Sequence, residues 1–73
     1  MSADAATIPA SEVRIGDRLR TRAGAELTVT RVDDAFMGRE DMLAFVEDSE
    51  VQWLKMPALR SGDVELVRAA SAD

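Results

Sequence analysis

The chain has 73 residues and a formal net charge of -5 at pH 7, with nine Lys and Arg against fourteen Asp and Glu. A chain this short supports one domain with a small core, because domains of this size bury only about 60% of their unfolded surface. The acidic total argues against a protein whose main task is to wrap nucleic acid. The absence of Cys and His excludes disulfides, thiolate metal sites and the common catalytic triads.

The two ends of the chain carry small and polar residues. Residues 1–9 lack the basic start and apolar run of a signal peptide, and residues 69–73 have a similar composition. We therefore expect flexible tails at residues 1–9 and 69–73 around a single small β-barrel domain spanning residues 10–68. No run of about 18 apolar residues occurs, so we expect a cytoplasmic protein without a membrane segment.

A turn with Gly and Asp precedes the first predicted strand of this domain. Gly16-Asp17 stops any helical turn that begins at Ser11, and we expect Val13 and Ile15 to fill one end of a barrel. The stretch Val13-Arg14-Ile15-Gly16-Asp17-Arg18-Leu19 resembles the apolar-x-apolar-Gly-Asp-x-apolar opening of many small β-barrels, including SH3-like ones. This resemblance covers about a tenth of the chain and implies an architecture only.

The first hairpin is predicted around the loop Ala23-Gly24-Ala25, with Gly24 available for a positive φ. In this register Arg20 lies opposite Thr28 and Leu19 opposite Val29. One face is then polar and the other is largely apolar, as expected for a sheet that covers a core on one side.

The second hairpin is predicted around Ser49-Glu50, with Phe45 opposite Leu54 and Val46 opposite Trp53. Its two faces are both apolar, so each needs a cover. The acids at its tip, Glu47 among them, are expected to be exposed.

A final strand is predicted at residues 64–68, after Pro57 and the turn Ser61-Gly62-Asp63, with Val64 and Leu66 pointing inward. The fold class is all-β, a compact antiparallel barrel or roll of about five strands, SH3-like in general architecture. The predicted core consists of Val13, Ile15, Leu19, Leu27, Val29, Val32, Leu43, Phe45, Leu54, Met56, Leu66 and Val67.

Apolar residues outside this core form the candidate partner-binding site: Val46, Val51, Trp53, Phe36 and Met37. A strongly curved barrel or a covering terminus would bury Trp53, and Phe36-Met37 would then fold back as a lid. Otherwise these residues form an interface, where Trp and Met are enriched. This reading predicts a small protein-interaction module or accessory subunit that forms a homodimer or binds a protein partner, through this face or by strand addition at a sheet edge.

The alternative is a module that binds nucleic acid or another anionic ligand through Arg18, Arg20 and Arg22. An ordinary solvent face with Arg opposite Thr or Glu explains the same three residues, and nucleic acid is the less favoured partner. We expect no enzymatic activity and no cofactor. Asp33, Asp34, Glu40 and Asp41 do not follow the spacing of a calcium loop, so no metal is predicted, although cation binding between residues 33 and 41 stays open.

Overall fold

The computed structural model describes residues 6–70, which form strands joined by short turns and one 3-10 turn at Ala10–Glu12. The seven strands of this part of the chain are β1 (Ala6–Pro9), β2 (Arg18–Arg20), β3 (Glu26–Thr28), β4 (Arg31–Asp33), β5 (Met42–Asp48), β6 (Trp53–Leu59) and β7 (Asp63–Arg68). The predicted all-β class is confirmed, whereas the predicted number of five strands is wrong.

Two antiparallel sheets make up the fold. One has the strand order β1-β7-β2-β3, and the other has the order β4-β5-β6. Within residues 6–70 the two sheets do not close into a barrel. The chain passes from the first sheet to the second at Val29-Thr30, where Thr30 donates its N–H to the Val46 carbonyl at 2.7 Å.

The core lies between the two sheets and includes the predicted residues Leu19, Leu27, Val29, Leu43 and Phe45, all of which are buried. Val13, Val32, Leu54, Met56 and Leu66 are half-buried and pack against them. Ile8, Ala10, Ala58 and Val64 also belong to this cluster, although they are missing from the predicted core.

Two residues of the predicted core do not belong to it. Ile15 is 65% exposed, because it lies in the turn that the Asp17 N–H closes on the Arg14 carbonyl. Val67 faces away from the core, because side chains alternate along β7 and the buried Val64 and the packed Leu66 occupy the inner face.

Both hairpins have the predicted faces but a register displaced by two residues. In the first hairpin Leu19 lies opposite Leu27, and the Thr21 N–H to Ala25 carbonyl bond of 2.7 Å leaves residues 22–24 as the loop. Gly24 adopts φ +89°, and a three-residue hairpin loop needs its left-handed residue at the third position. That requirement places Gly24 at the end of the loop instead of its middle.

The second hairpin turns at Glu50-Val51 instead of Ser49-Glu50, so that Phe45 lies opposite Met56. The Ser49 N–H donates to the Gln52 carbonyl at 3.1 Å, and the Ser49 hydroxyl accepts the N–H groups of Val51 and Gln52. These bonds satisfy the turn and set the register.

The first strand lies in the stretch that was expected to be an N-terminal tail. Ala6–Pro9 pairs with β7, and Ile8, which lies opposite Val64, contributes an apolar side chain to the core. At the other end, the Ala70 N–H donates to Asp17 Oδ1 at 2.7 Å. The remainder of the two predicted tails, residues 1–5 and 71–73, lies outside the described residues.

Candidate functional site

The tip of the β5–β6 hairpin carries two exposed apolar side chains of the candidate site. Trp53 is 60% exposed and Val51 is 85% exposed. Side chains alternate along β6, so Leu54 and Met56 face the core while Trp53 faces outward. We call Val51 and Trp53 together the Trp53 surface.

Val46 does not belong to this surface, because it is fully buried at 0% exposure. It lies in the central strand of its sheet, with Arg31 opposite on β4 and Lys55 opposite on β6. Asp33 bridges the two flanking strands, since its carboxylate accepts Arg31 Nε at 2.8 Å and lies 3.5 Å from Lys55 Nζ. These long charged side chains cover the smaller ones of β5 between them, which corrects the placement of Val46 in a partner site.

Glu47 fixes the hairpin tip to the other sheet. Its side chain is only 4% exposed, and Oε1 accepts the Thr28 N–H at 2.7 Å and Gln52 Nε2 at 2.8 Å. Ser49 Oγ donates to Oε2 at 2.8 Å. These bonds hold the pKa of Glu47 below its usual value, and the bond from Thr28 has the largest effect. The side chain that was expected to be exposed is therefore a buried anchor.

Gln52 completes this anchor through Nε2, which also donates to the Glu26 carbonyl at 2.9 Å. The backbone groups of Glu26 and Thr28 in β3 point away from β2. Thr21 and Ala25 form a hydrogen-bonded pair, and hydrogen-bonded pairs alternate with non-bonded pairs along the two strands from that point. Side chains of the second hairpin thus occupy the free edge of β3. Sequence reasoning missed this role, although Glu47 lies two residues after Phe45 in β5 and its side chain therefore points to the same, inward face.

Phe36 and Met37 have different environments. Phe36 is half-buried, and Lys55 Nζ lies 5.6 Å from the centre of its ring. Met37 is exposed and has φ 51°, a left-handed conformation that is uncommon outside glycine. Reciprocal backbone bonds between Phe36 and Arg39 close the turn. The structure therefore folds Phe36 back toward its sheet and leaves Met37 exposed.

Two of the three arginines that were candidates for anion binding are paired with carboxylates. Arg18 Nε lies 2.9 Å from Glu26, and Arg20 lies 3.2 Å from Glu26 and 3.0 Å from Glu65. The bonds from Arg18 and then Arg20 keep the pKa of Glu26 below its usual value. Arg22 lies in the loop after β2 and makes no ion pair with any described residue.

Two of the four acids between residues 33 and 41 are paired with cations. Asp33 contacts Arg31 and Lys55, and Asp41 accepts Arg39 Nη2 at 2.6 Å. In each pair the arginine is the main cause of a lowered carboxyl pKa. In the described part of the chain, no three such side chains converge in a way that could hold a metal ion.

A cleft of about 800 Å³ lies between β6 and the first sheet. It is lined by the inner side chains of β6, by the loop after β2 and by the start of β7. Among them are Leu54, Met56 and Ala58, which are only half-buried. Sequence reasoning did not foresee this cleft, because it depends on the gap between the two sheets.

Comparison of the chain with protein-family models, with curated proteins and with solved structures finds no match. Within residues 6–70, no helix has the length and apolar character needed to cross a membrane.

Proposed function

We propose that this protein is a small non-catalytic protein-interaction module or accessory subunit that self-associates or binds a protein partner through the Trp53 surface. The observation that carries the proposal is the exposure of Trp53, at 60%, on the outer face of a regular strand. Trp is highly buried on average, and it is among the residues most enriched in interface cores. Val51, two residues before Trp53, and Met37, in the loop between β4 and β5, are also exposed apolar residues.

The anchor beneath the Trp53 surface supports this proposal. Glu47 and Gln52 tie the hairpin tip to β3 through bonds of 2.7 to 2.9 Å, and Trp53 follows Gln52 directly in the chain. A side chain held on a fixed backbone loses less conformational freedom on binding, so more of its burial contributes to affinity.

The ion pairs of Arg18 and Arg20 weigh against the alternative of a nucleic-acid or anionic-ligand module. An incoming phosphate would have to displace Glu26, which both arginines share, on a chain of net charge -5. Of the three arginines, only Arg22 is without a carboxylate among the described residues. The SH3-like architecture and the cytoplasmic location stay predictions, and the proposal depends on neither.

Trp53→Ala tests the proposal, with Ile15→Ala as the matched control because Ile15 is an equally exposed apolar residue away from the hairpin. Light scattering over a concentration series measures self-association, and affinity capture from a lysate of the source organism measures partner binding. We expect Trp53→Ala to abolish one of the two signals and Ile15→Ala to preserve it, with unchanged β content in both. A monomer at every concentration, with the same captured proteins for both variants, would refute the proposal.

A further inference from the structure

Within residues 6–70, the edge of β6 that does not face β5 carries free backbone groups. One end of the ladder between β5 and β6 is the bond from the Ser49 N–H to the Gln52 carbonyl, at 3.1 Å. The other end is the bond from the Arg60 N–H to the Asp41 carbonyl, at 2.8 Å. Backbone bonds alternate between these limits, so Leu54, Met56 and Ala58 bond to β5. The N–H and C=O groups of the residues between them therefore point to the opposite side.

The free groups of this edge are concentrated at its first half. The Leu59 carbonyl already accepts the Gly62 N–H at 2.9 Å, and Pro57 has no N–H. Among the described residues, Trp53 and Lys55 each keep an unbonded backbone donor and acceptor on this side, and Pro57 keeps an acceptor. At about 3.3 Å per residue, the stretch from Trp53 to Pro57 offers roughly 13 Å of edge to an added strand.

The other free edges within residues 6–70 are less suited to an added strand. The edge of β3 is occupied by the side chains of Glu47 and Gln52. Strand β1 has four residues and ends at Pro9, and β4 has three residues. β6 has seven, which makes it the longest strand with an open edge among the described residues.

The cleft lies along this open edge, and its lining indicates what would fill it. An added strand would cover Leu54, Met56 and Ala58, which line the cleft and are half-buried. The charged side chains of the lining are three cations, Arg20, Arg22 and Lys55, against the two carboxylates Asp63 and Glu65. Arg20 is paired with Glu26 and Glu65, and Lys55 with Asp33, so Arg22 is the lining cation without a carboxylate among the described residues, and a carboxylate of the occupant can meet it. Two copies of a chain of net charge -5 repel each other, which favours a peptide segment of a different protein over a second copy.

We propose that the cleft binds an extended peptide segment of a partner protein, in which apolar residues alternate with polar ones and a carboxylate lies at one end. The peptide adds as a strand to the free edge of β6, pairing with the backbone of Trp53 and Lys55. Its apolar side chains pack on Leu54 and Met56, and its carboxylate lies beside Arg22. This inference rests on the proposed function, since it names the class of partner.

A displayed library of random seven-residue peptides, selected on the full chain, supplies the probe. Peptides enriched on the wild type are synthesised, and backbone amide hydrogen exchange is measured with and without them. We expect enriched peptides to combine alternating apolar residues with Asp or Glu. They should slow exchange at the amides of Trp53 and Lys55 by about tenfold or more, because those N–H groups acquire acceptors.

Arg22→Glu tests the charge component, with Arg68→Glu as its matched control because Arg68 is an exposed arginine outside the cleft lining. We expect Arg22→Glu to weaken the selected peptides about threefold to tenfold and Arg68→Glu to leave affinity unchanged. Peptides that bind but leave both amides unprotected would overturn the inference. So would a library that yields no binder, or protection of the same amides by self-association alone.

The two proposals fail in different ways. A partner or second copy that is lost on Trp53→Ala, in a protein whose edge amides stay unprotected in the complex, would retain the proposed function and refute the peptide site. Absence of any protein ligand in both experiments would refute both.

Discussion

Glu47 in β5 accepts the backbone N–H of Thr28 in β3 at 2.7 Å, across the boundary between the two sheets. The same carboxylate binds Gln52 Nε2 and Ser49 Oγ, so both of its oxygens are satisfied although it is buried. A buried charge is tolerated when it is hydrogen-bonded in this way. This carboxylate therefore links the interface between the sheets to the hairpin that carries Trp53.

Glu47→Ala removes the acceptor of the Thr28 N–H and one partner each of Gln52 and Ser49. We expect a loss of about 1–3 kcal/mol of unfolding free energy, because a half-buried donor is left without a partner. Glu50→Ala, in the same turn but exposed, should change stability by less than about 0.5 kcal/mol. Urea denaturation of the three proteins measures both values, and equal losses for the two variants would show that Glu47 is not an anchor.

Acid should weaken the fold partly through Glu47. Its pKa in the folded protein lies below the ordinary value of 4.5, so the charged carboxylate stabilises the fold above that pH. This stabilisation is lost as the pH falls through the folded pKa. Glu26, Asp33 and Asp41 also have lowered pKa values and act in the same direction.

Glu47→Gln cannot titrate and should therefore show a shallower loss of stability between about pH 5 and pH 2. The difference in unfolding free energy between the wild type and Glu47→Gln should shrink as the pH falls. Thermal unfolding at a series of pH values measures these differences. Parallel profiles for the wild type and Glu47→Gln would contradict the lowered pKa.

Alanine substitutions at Gly16 and Gly24 distinguish the cost of an unfavourable backbone conformation from the cost of a steric clash. Both glycines have positive φ, +100° and +89°, but a Cβ on Gly16 would meet Ala70 Cβ at 3.0 Å, and one on Gly24 would meet nothing within 4 Å. We expect Gly24→Ala to cost about 1–2 kcal/mol through its backbone conformation. Gly16→Ala should cost more and should also displace the Ala70 amide from Asp17, which its NMR shift reports. Equal costs with an unmoved Ala70 amide would contradict the close packing at Gly16.

The arginine ion pairs predict weak attraction for nucleic acid. The wild type should not be retained on immobilised RNA or DNA at low salt, because Glu26 and Glu65 occupy Arg18 and Arg20. Glu26→Ala frees Arg18 and leaves Arg20 with Glu65 alone, so it should raise retention. Strong retention of the wild type, lost on Arg20→Glu and diminished by salt, would favour the anion-binding alternative.

The sequence was sufficient to predict which face of each hairpin lies inward, because alternation of side chains survives a register displacement of two residues. It was not sufficient for the registers themselves. These depend on the left-handed position of Gly24 and on the hydroxyl bonds of Ser49, which a pattern of apolar residues does not contain.

The exposure of a candidate-site residue could be predicted only where it depends on residues nearby in the sequence. Trp53 and Val51 are exposed on the face away from the core. Val46 is on that same face and is buried, because Arg31, Asp33 and Lys55 from both flanking strands cover it. Such cover depends on pairing between strands that are distant in sequence, as does the cleft beside β6.

The most direct test of the Trp53 surface uses the fact that the chain contains a single Trp. Incorporation of 5-fluorotryptophan gives one fluorine NMR signal, recorded over a protein concentration series and in lysate of the source organism. A variant combining Trp53→Phe with Ile15→Trp carries the label at an exposed control position. We predict that the Trp53 signal shifts or broadens on association while the control signal does not. A sharp, unshifted Trp53 signal under every condition would contradict the account.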